Sequence, residues 1–207
     1  REIMQIMKGN PSTGQVLPWF GTPALVNANN SLGVFGARNW QQETFEGAED
    51  LSAETMRQKI VVRDKACFAC PIKCSKYSVV TNAPFEGYTV EGPEYENIFA
   101  LGSMCGISSI EAVAAAEREC DDLGMDAIET GVSIAFAMEN FEKGNLSARD
   151  TDGLELRFGK TELMLPLIGK IARREGFGNL LAEGVKRAAE RIGKGSEAFA
   201  MQNKGMT

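Results

Sequence analysis

The sequence predicts an all-α, multihelical fold with a loop-rich N-terminal part and one small β-hairpin. Three observations carry that prediction. Glycine and proline punctuate the first stretch at Gly9, Pro11, Gly14, Pro18, Gly33 and Gly36. Tyr77-Ser78-Val79-Val80 and Tyr88-Thr89-Val90 are strand-like runs split by Asn82, Pro84 and Gly87, the pattern of a hairpin. From Pro93 onward, apolar residues recur at helical spacing between capping signals.

The elements follow in chain order. Within the irregular start, Thr22 and Pro23 suit the opening of a short helix whose apolar face is Ala24, Leu25 and Ala28, with Gly33 just beyond. A second helix starts near Asp50 or Ser52, carries Leu51, Met56 and Ile60, and runs toward a cysteine cluster. After the hairpin, Pro93 opens a helix through Tyr95, Ile98, Phe99 and Leu101 that stops between Gly102 and Gly106. Ser108 with Glu111, and Asp126 with Glu129, read as capping boxes; such pairs satisfy amide protons that a first helical turn leaves unbonded. The first of these helices runs to Leu123 before Gly124, and the second passes Ile128, Val132, Phe136 and Met138 to end at Gly144. Residues 145–160 form a connection with a short extended piece at Leu154-Glu155-Leu156. Thr161 caps a helix through Leu163, Leu167, Ile168 and Ile171, kinked at Pro166. Asn179 caps a last helix through Leu180, Leu181, Val185 and Ala188, stopped by Gly193. Residues 1–207 thus read as a single helical domain, loop-rich over 1–50, with the cysteine loop and hairpin at 64–91 and helices over 93–207.

Composition removes several function classes. A net charge of −6 with no basic stripe argues against nucleic acid as a partner. No stretch reaches the roughly 18 apolar residues of a membrane span. Histidine is absent, which removes His-based zinc sites and Ser-His-Asp triads. Cysteines number five, an odd count with three of them crowded together. That fits a metal site in a reducing cytoplasm better than a disulfide framework. The chain starts at Arg1, and Met201 to Thr207 bring no closing element, so it reads as a segment of a longer protein.

The sharpest motif is Cys67-Phe68-Ala69-Cys70-Pro71-Ile72-Lys73-Cys74, with spacing C-x2-C-x3-C. Iron–sulfur clusters need several thiolates converging on a small cage, and a short loop supplies three. Structural zinc normally takes four ligands, often as two separated pairs, and no second pair exists here. A zinc-stabilised helical module without catalysis, using the three thiols plus water or Cys105, is the competing reading. Cys105 and Cys120 fall on predicted helices and read first as packing residues, with each a lesser candidate for the fourth cluster ligand; a fourth cysteine beyond the chain is the favoured reading.

Around these cysteines the sequence resembles the aldehyde ferredoxin oxidoreductases, the tungsten- or molybdenum-pterin enzymes. Lys65 to Cys74 looks like that family's cluster loop. Glu91-Gly92-Pro93-Glu94-Tyr95-Glu96 follows where the family has it. Asp121-Asp122-Leu123-Gly124-Met125-Asp126 resembles its D-x-x-G-L-D pterin loop, with Met125 for the usual leucine, and Gly176 to Val185 resembles a late helical segment.

The resemblance implies the middle, helical domain of a three-domain enzyme that oxidises aldehydes to carboxylic acids and passes electrons to ferredoxin. It implies Cys67, Cys70 and Cys74 as ligands of a [4Fe–4S] cluster whose fourth cysteine lies in the last domain. It implies Asp121, Gly124, Met125 and Asp126 against a tungsten- or molybdenum-bis-pterin. It also implies a catalytic glutamate near the metal, with Glu91 and Glu94 both eligible and Glu96 a third choice. On their own, Gly124 and Asp126 read equally as a helix C-cap and N-cap, and Glu91 and Glu94 as first-turn acids. The partners implied are the remaining domains, an aldehyde and ferredoxin, in a cytoplasmic enzyme that forms a homo-oligomer in some members. The Glu- and His-held iron that joins those subunits has no histidine here. The isolated chain is expected to be inactive.

Overall fold

The computed structural model describes residues 2–207. The chain begins with α1 (Glu2–Gly9), α2 (Leu17–Phe20), α3 (Leu25–Ser31) and α4 (Ala53–Lys59). Strands β1 (Val61–Lys65), β2 (Ser75–Val79) and β3 (Thr89–Glu91) follow. The remainder is helical, with α5 (Tyr95–Asn97), α6 (Ile110–Leu123), α7 (Ala127–Glu142), α8 (Met164–Arg173), α9 (Gly178–Leu181) and α10 (Gly184–Ile192). A wide π turn at Ile98–Gly102 and a tight 3-10 turn at Ser103–Cys105 continue α5.

Helix α7 is the axis of the core. Every residue from Thr130 to Asn140 is buried, the mark of a helix covered on all sides rather than amphipathic. Helices α5, α6, α8, α9, α10 and the turns over 98–105 pack around it. Small residues let the backbones approach. Ala112, Ala114, Ala115 and Ala116 line α6, and Gly131 of α7 lies so close to Ala100 that a Cβ there would meet its carbonyl carbon and oxygen at 2.6 Å.

The three strands form an antiparallel sheet in the order β1-β2-β3. The fold is therefore mainly helical with a small sheet, not all-α. The expected hairpin is present as β2 and β3, paired Tyr77 to Glu91 through Val79 to Thr89. Strand β1 was not expected. It pairs Arg63 with Tyr77 and Lys65 with Ser75, so the cysteine loop is itself the connection of a hairpin. Its sequence, Val61-Val62-Arg63-Asp64-Lys65, hides the strand because four of its five residues are charged or lie beside a bulge at Val62. Helical structure also reaches further into the N-terminal part than its glycines and prolines suggest.

Local capping departs from expectation in instructive ways. Ser52 caps α4, accepting the Thr55 N–H at 3.2 Å, and Asp126 caps α7, accepting the Glu129 N–H at 2.9 Å. The cap of α6 is Ser109 rather than Ser108; its hydroxyl accepts from the Ala112 N–H at 3.2 Å and donates to Glu111 at 3.0 Å. Thr22 caps no helix of its own segment. Its hydroxyl accepts the Tyr95 N–H at 2.9 Å and donates to Glu94, closing α5 from a distance of 73 residues in sequence. Thr161 and Asn179 make no side-chain caps. Pro166 falls in the first turn of α8, which runs unbroken to Arg173, because a missing N–H there costs nothing. The last predicted helix divides into α9 and α10 at Ala182 and Glu183, and Leu154-Glu155-Leu156 makes no strand. The final residues turn back, and Thr207 donates through its N–H and hydroxyl to Glu129 at 2.9 and 2.8 Å.

Replacing Gly131 with alanine should lower stability by about 1–3 kcal/mol, the range for overpacking a well-filled core. Urea denaturation would report this as a lower midpoint at unchanged slope.

Candidate functional site

The rung Lys65–Ser75 closes the hairpin that carries the three thiols. Cys67 is exposed, Cys70 and Cys74 are half-buried, and all three are free. The Cys70 N–H donates to the Cys67 carbonyl at 3.0 Å. Ala69 and Lys73, the residues just before Cys70 and Cys74, have φ of 57° and 60°. Left-handed backbone costs a residue with a side chain about 1–2 kcal/mol, so this loop is held in shape from outside.

Two contacts do the holding. Gly21 (φ 71°) lies against the Cys74 carbonyl, which a Cβ there would meet at 2.6 Å. Beneath the loop, the Lys76 ammonium is buried and donates to the carbonyls of Pro18 at 3.0 Å, Lys73 and Cys74 at 3.3 Å and Ser75 at 3.4 Å. Asp64 pairs with it at 3.4 Å. Burial pulls the Lys76 pKa below the usual lysine value, and the Asp64 charge opposes that. The sequence did carry a trace of this residue, since alternation back from Val80 and Ser78 puts Lys76 on the buried side of β2.

Among the described residues, no three His, Cys, Asp or Glu side chains stand close enough to hold one metal ion. A tetrahedral zinc with sulfurs at ~2.3 Å would need them within about 4 Å of one another. Cys105 is fully buried, its thiol facing the carbonyls of Ala100 and Gly131 at 3.5 and 3.4 Å. The zinc reading on these four thiols therefore finds no support. Cys105 and Cys120 are core residues, and burial pushes the Cys120 thiol up to about 12.

The two candidate glutamates have opposite surroundings. Glu91 is exposed, pairs with Lys65 and accepts from Ser75 at 3.2 Å; the Lys65 hydrogen bond holds its carboxyl below the usual range. It is a charged cross-strand clasp at the base of the loop. Glu94 is half-buried at the start of α5, bonded by Thr22. Burial raises its pKa, partly opposed by the Thr22 bond. Burial likewise raises the Cys74 pKa, and the Glu94 charge adds to it, so carboxyl and thiol share one neighbourhood. Glu96 is exposed.

Behind this segment stands a carboxyl the motifs did not single out. Glu117 of α6 is 4% exposed. A Cβ at Gly92 would meet its Oε1 at 2.6 Å, and its Oε2 has no hydrogen-bond partner. Burial drives its pKa up to about 8, despite the opposing hydrogen bond of Asn97, with the charges of Asp121 and Glu94 adding to the rise. Helical spacing alone could have found it, because Glu117 continues the buried stripe Ile110, Val113, Ala114.

The loop after α6 performs both capping roles. Gly124 has φ 66° and donates to the Asp121 carbonyl at 3.1 Å, while Met125 donates to the Cys120 carbonyl at 2.9 Å. Asp121 and Asp126 lie on the surface on either side of it. Gly124, Met125 and Asp126 form one wall of a cavity of about 390 Å³ whose far side includes Arg174 and Gly184; Asp121 is not part of that wall. An acidic edge, an arginine and a helix start suit a polar heterocycle bearing both donors and anionic groups.

The chain is similar along most of its length to parts of known oxidoreductases. It belongs to the aldehyde ferredoxin oxidoreductase family, whose "domains 2 & 3" model matches residues 1–207. It is 44% identical over 202 residues to the tungsten-containing aldehyde ferredoxin oxidoreductase of Pyrococcus abyssi, covering 96% of this chain and 32% of that protein. It is 33% identical over 156 residues to the aliphatic sulfonate oxidoreductase WOR-like subunit of Pyrococcus furiosus, covering 75% and 25%. The chain thus spans about a third of the length of the curated relatives it matches. In fold it is similar to the active site complex BamBC of benzoyl coenzyme A reductase in complex with 1,5-dienoyl-CoA, with a TM-score of 0.69 and 23% identity over 98% of this chain and 31% of that one. Among the described residues, no single helix is long and apolar enough to cross a membrane.

The raised pKa of Glu117 has a stability consequence with a definite sign. Its folded value, about 8, exceeds the ordinary glutamate value of ~4.3. Its contribution is fully present below the ordinary value and is lost as pH rises through about 8. Glu117→Gln should therefore flatten the fall in urea stability between pH 5 and pH 9 and be more stable than the parent at the upper end, roughly over the window set by those two values.

Proposed function

We propose that residues 1–207 form a single helical domain of an enzyme that oxidises aldehydes to carboxylic acids, RCHO + H2O → RCOOH + 2H⁺ + 2e⁻, and delivers the electrons to ferredoxin in the cytoplasm. The observation that carries this is the pair Gly21-Thr22, whose glycine lies against the Cys74 carbonyl while its threonine hydroxyl donates to Glu94, so that a half-buried carboxyl stands next to the three-thiol loop. Membership of the family and the tungsten named in its relatives support it.

Cys67, Cys70 and Cys74 would hold a [4Fe–4S] cluster, with a fourth thiolate from elsewhere in the protein. Asp126, Gly124 and Met125, with Asp121 at the other end of the loop, would hold a pterin of a tungsten- or molybdenum-bis-pterin. When bound, these groups supply the two-electron oxidation and the route by which electrons leave. The residues of this chain supply the rest. Lys76 and Gly21 fix the thiol loop. Glu94, rather than the ion-paired Glu91, is the base: its carboxylate takes a proton from the water that adds to the aldehyde carbon, and Thr22 orients it for that transfer.

The full-length protein, produced without oxygen, should contain iron together with tungsten or molybdenum and reduce a viologen dye when given an aldehyde. A preparation with neither iron nor either heavier metal overturns the reading. Cys70→Ser should lose most of the iron, measured by elemental analysis and the visible absorption of the cluster. Glu94→Gln should retain the metals and lower kcat by about 10²–10⁴-fold, the usual contribution of a positioned general base.

A further inference from the structure

The orphaned carboxyl of Glu117 has no role in the assignments above. Its surroundings are specific. The carboxyl lies against Gly92, two residues before Glu94, and Asn97, three residues after Glu94, favours its charged form. A side chain at position 92 would press on this carboxyl, whose Oε1 a Cβ would meet at 2.6 Å, and would displace it. One turn along α6, Asp121 stands at the exposed end of the helix beside the cavity loop. On an α-helix, residues four apart lie on one face about 6 Å from each other. Three carboxyls thus run from the half-buried Glu94, through the buried Glu117, to surface Asp121.

The chemistry of the middle member follows from its burial. A carboxylate oxygen with no partner and no water contact is costly to keep ionised, and the group protonates instead. The groups whose charges act on it are Glu94 from the segment after β3 and Asp121 on its own helix; Asn97 of α5 offers a hydrogen bond to it. No cation acts on it. A neutral acid with an unengaged oxygen can both give and take a proton.

Resting on the aldehyde-oxidising reading, we infer that Glu117 is the relay through which the proton collected by Glu94 leaves the site toward Asp121 and solvent. The steps balance without any co-reactant. The O–H bond of Glu117 breaks as its proton passes to the Asp121 carboxylate, directly or through water. The Glu117 carboxylate then takes the proton from Glu94, whose O–H bond breaks, and Glu94 is a base again. Asp121 releases its proton to bulk water. The electrons leave separately. Glu117 acts through Glu94 and touches no reacting atom, so it is a positioning and relay residue rather than a catalytic one.

Two measurements on the full-length holoenzyme test this. The first needs no turnover: with glutamate side chains labelled with carbon-13 at the carboxyl, one group should titrate near 8 and be missing from the spectrum of Glu117→Gln. The second is kinetic. Glu117→Gln keeps the shape of the side chain and cannot relay, so kcat should fall about tenfold or more with KM unchanged. The solvent deuterium isotope effect on kcat should rise, and the loss should be partly restored in Glu117→Asp. Circular dichroism and metal content of both variants establish that they are folded and loaded, and Glu117→Asp carries the test if the glutamine variant does not fold. Wild-type kcat and isotope effect in Glu117→Gln overturn the relay, as does a Glu117 carboxyl that titrates in the ordinary range. A parent enzyme that oxidises no aldehyde overturns the functional reading instead, a result visible before any variant is made.

Discussion

The buried ammonium of Lys76 is the contact on which the geometry of the site depends. Taking a lysine charge out of water costs several kcal/mol unless donors and counter-charge are met. Here four carbonyls and Asp64 meet it. Those carbonyls belong to Pro18 in α2, to Lys73 and Cys74 in the thiol loop, and to Ser75 at the start of β2. One side chain therefore gathers the N-terminal segment, the loop and the sheet. The Lys76 bonds to the Lys73 and Cys74 carbonyls hold the end of a loop that has two left-handed side-chain-bearing residues, Ala69 and Lys73. Gly21 completes the clamp from the other side, its missing Cβ making way for the Cys74 carbonyl.

Around this clamp the acidic residues divide by environment rather than by type. Glu91 is solvated and ion-paired, so it stays charged and acts as a strut between β1 and β3. Glu94, three residues on, is half-buried, and Glu117 is fully so. The same functional group thus meets three environments within one small region: ion-paired in solvent, half-buried and buried. The segment Glu91-Gly92-Pro93-Glu94 makes this possible. Gly92 lets α6 bring Glu117 close, and Thr22 ties both Glu94 and the first N–H of α5 to the N-terminal part.

Much of the helical body was legible in the sequence, because its causes are local. The caps at Ser52 and Asp126 and the left-handed stop at Gly124 are set by residues within one turn of each other. The cap of α6 lay one residue later than expected because Ser108 and Ser109 are adjacent hydroxyls, and the helix starts at the buried Ile110. Strand β1 was illegible because it is an edge strand with a mostly exposed, charged face. Pairing with β2, not composition, makes it a strand. Thr22 was misread for a related reason, since the amide it satisfies belongs to Tyr95.

The sequence by itself determined the chemistry available: three clustered thiols, no histidine, an acidic segment and a turn flanked by aspartates, in an order shared with one enzyme family. Tertiary structure alone decided what those groups are. It made Glu91 a surface ion pair and Glu94 the neighbour of Cys74, sent Cys105 and Cys120 into the core, and brought the unremarked Lys76 and Glu117 beneath the site. The reason is physical. Residue type fixes which charges and donors exist, but burial and the partners met across the fold fix which of them ionise, which pair, and which are left with a proton to move. The cysteine loop is visible in eight consecutive residues; the shape that holds it depends on Pro18, Gly21 and Asp64, which only the fold brings to it.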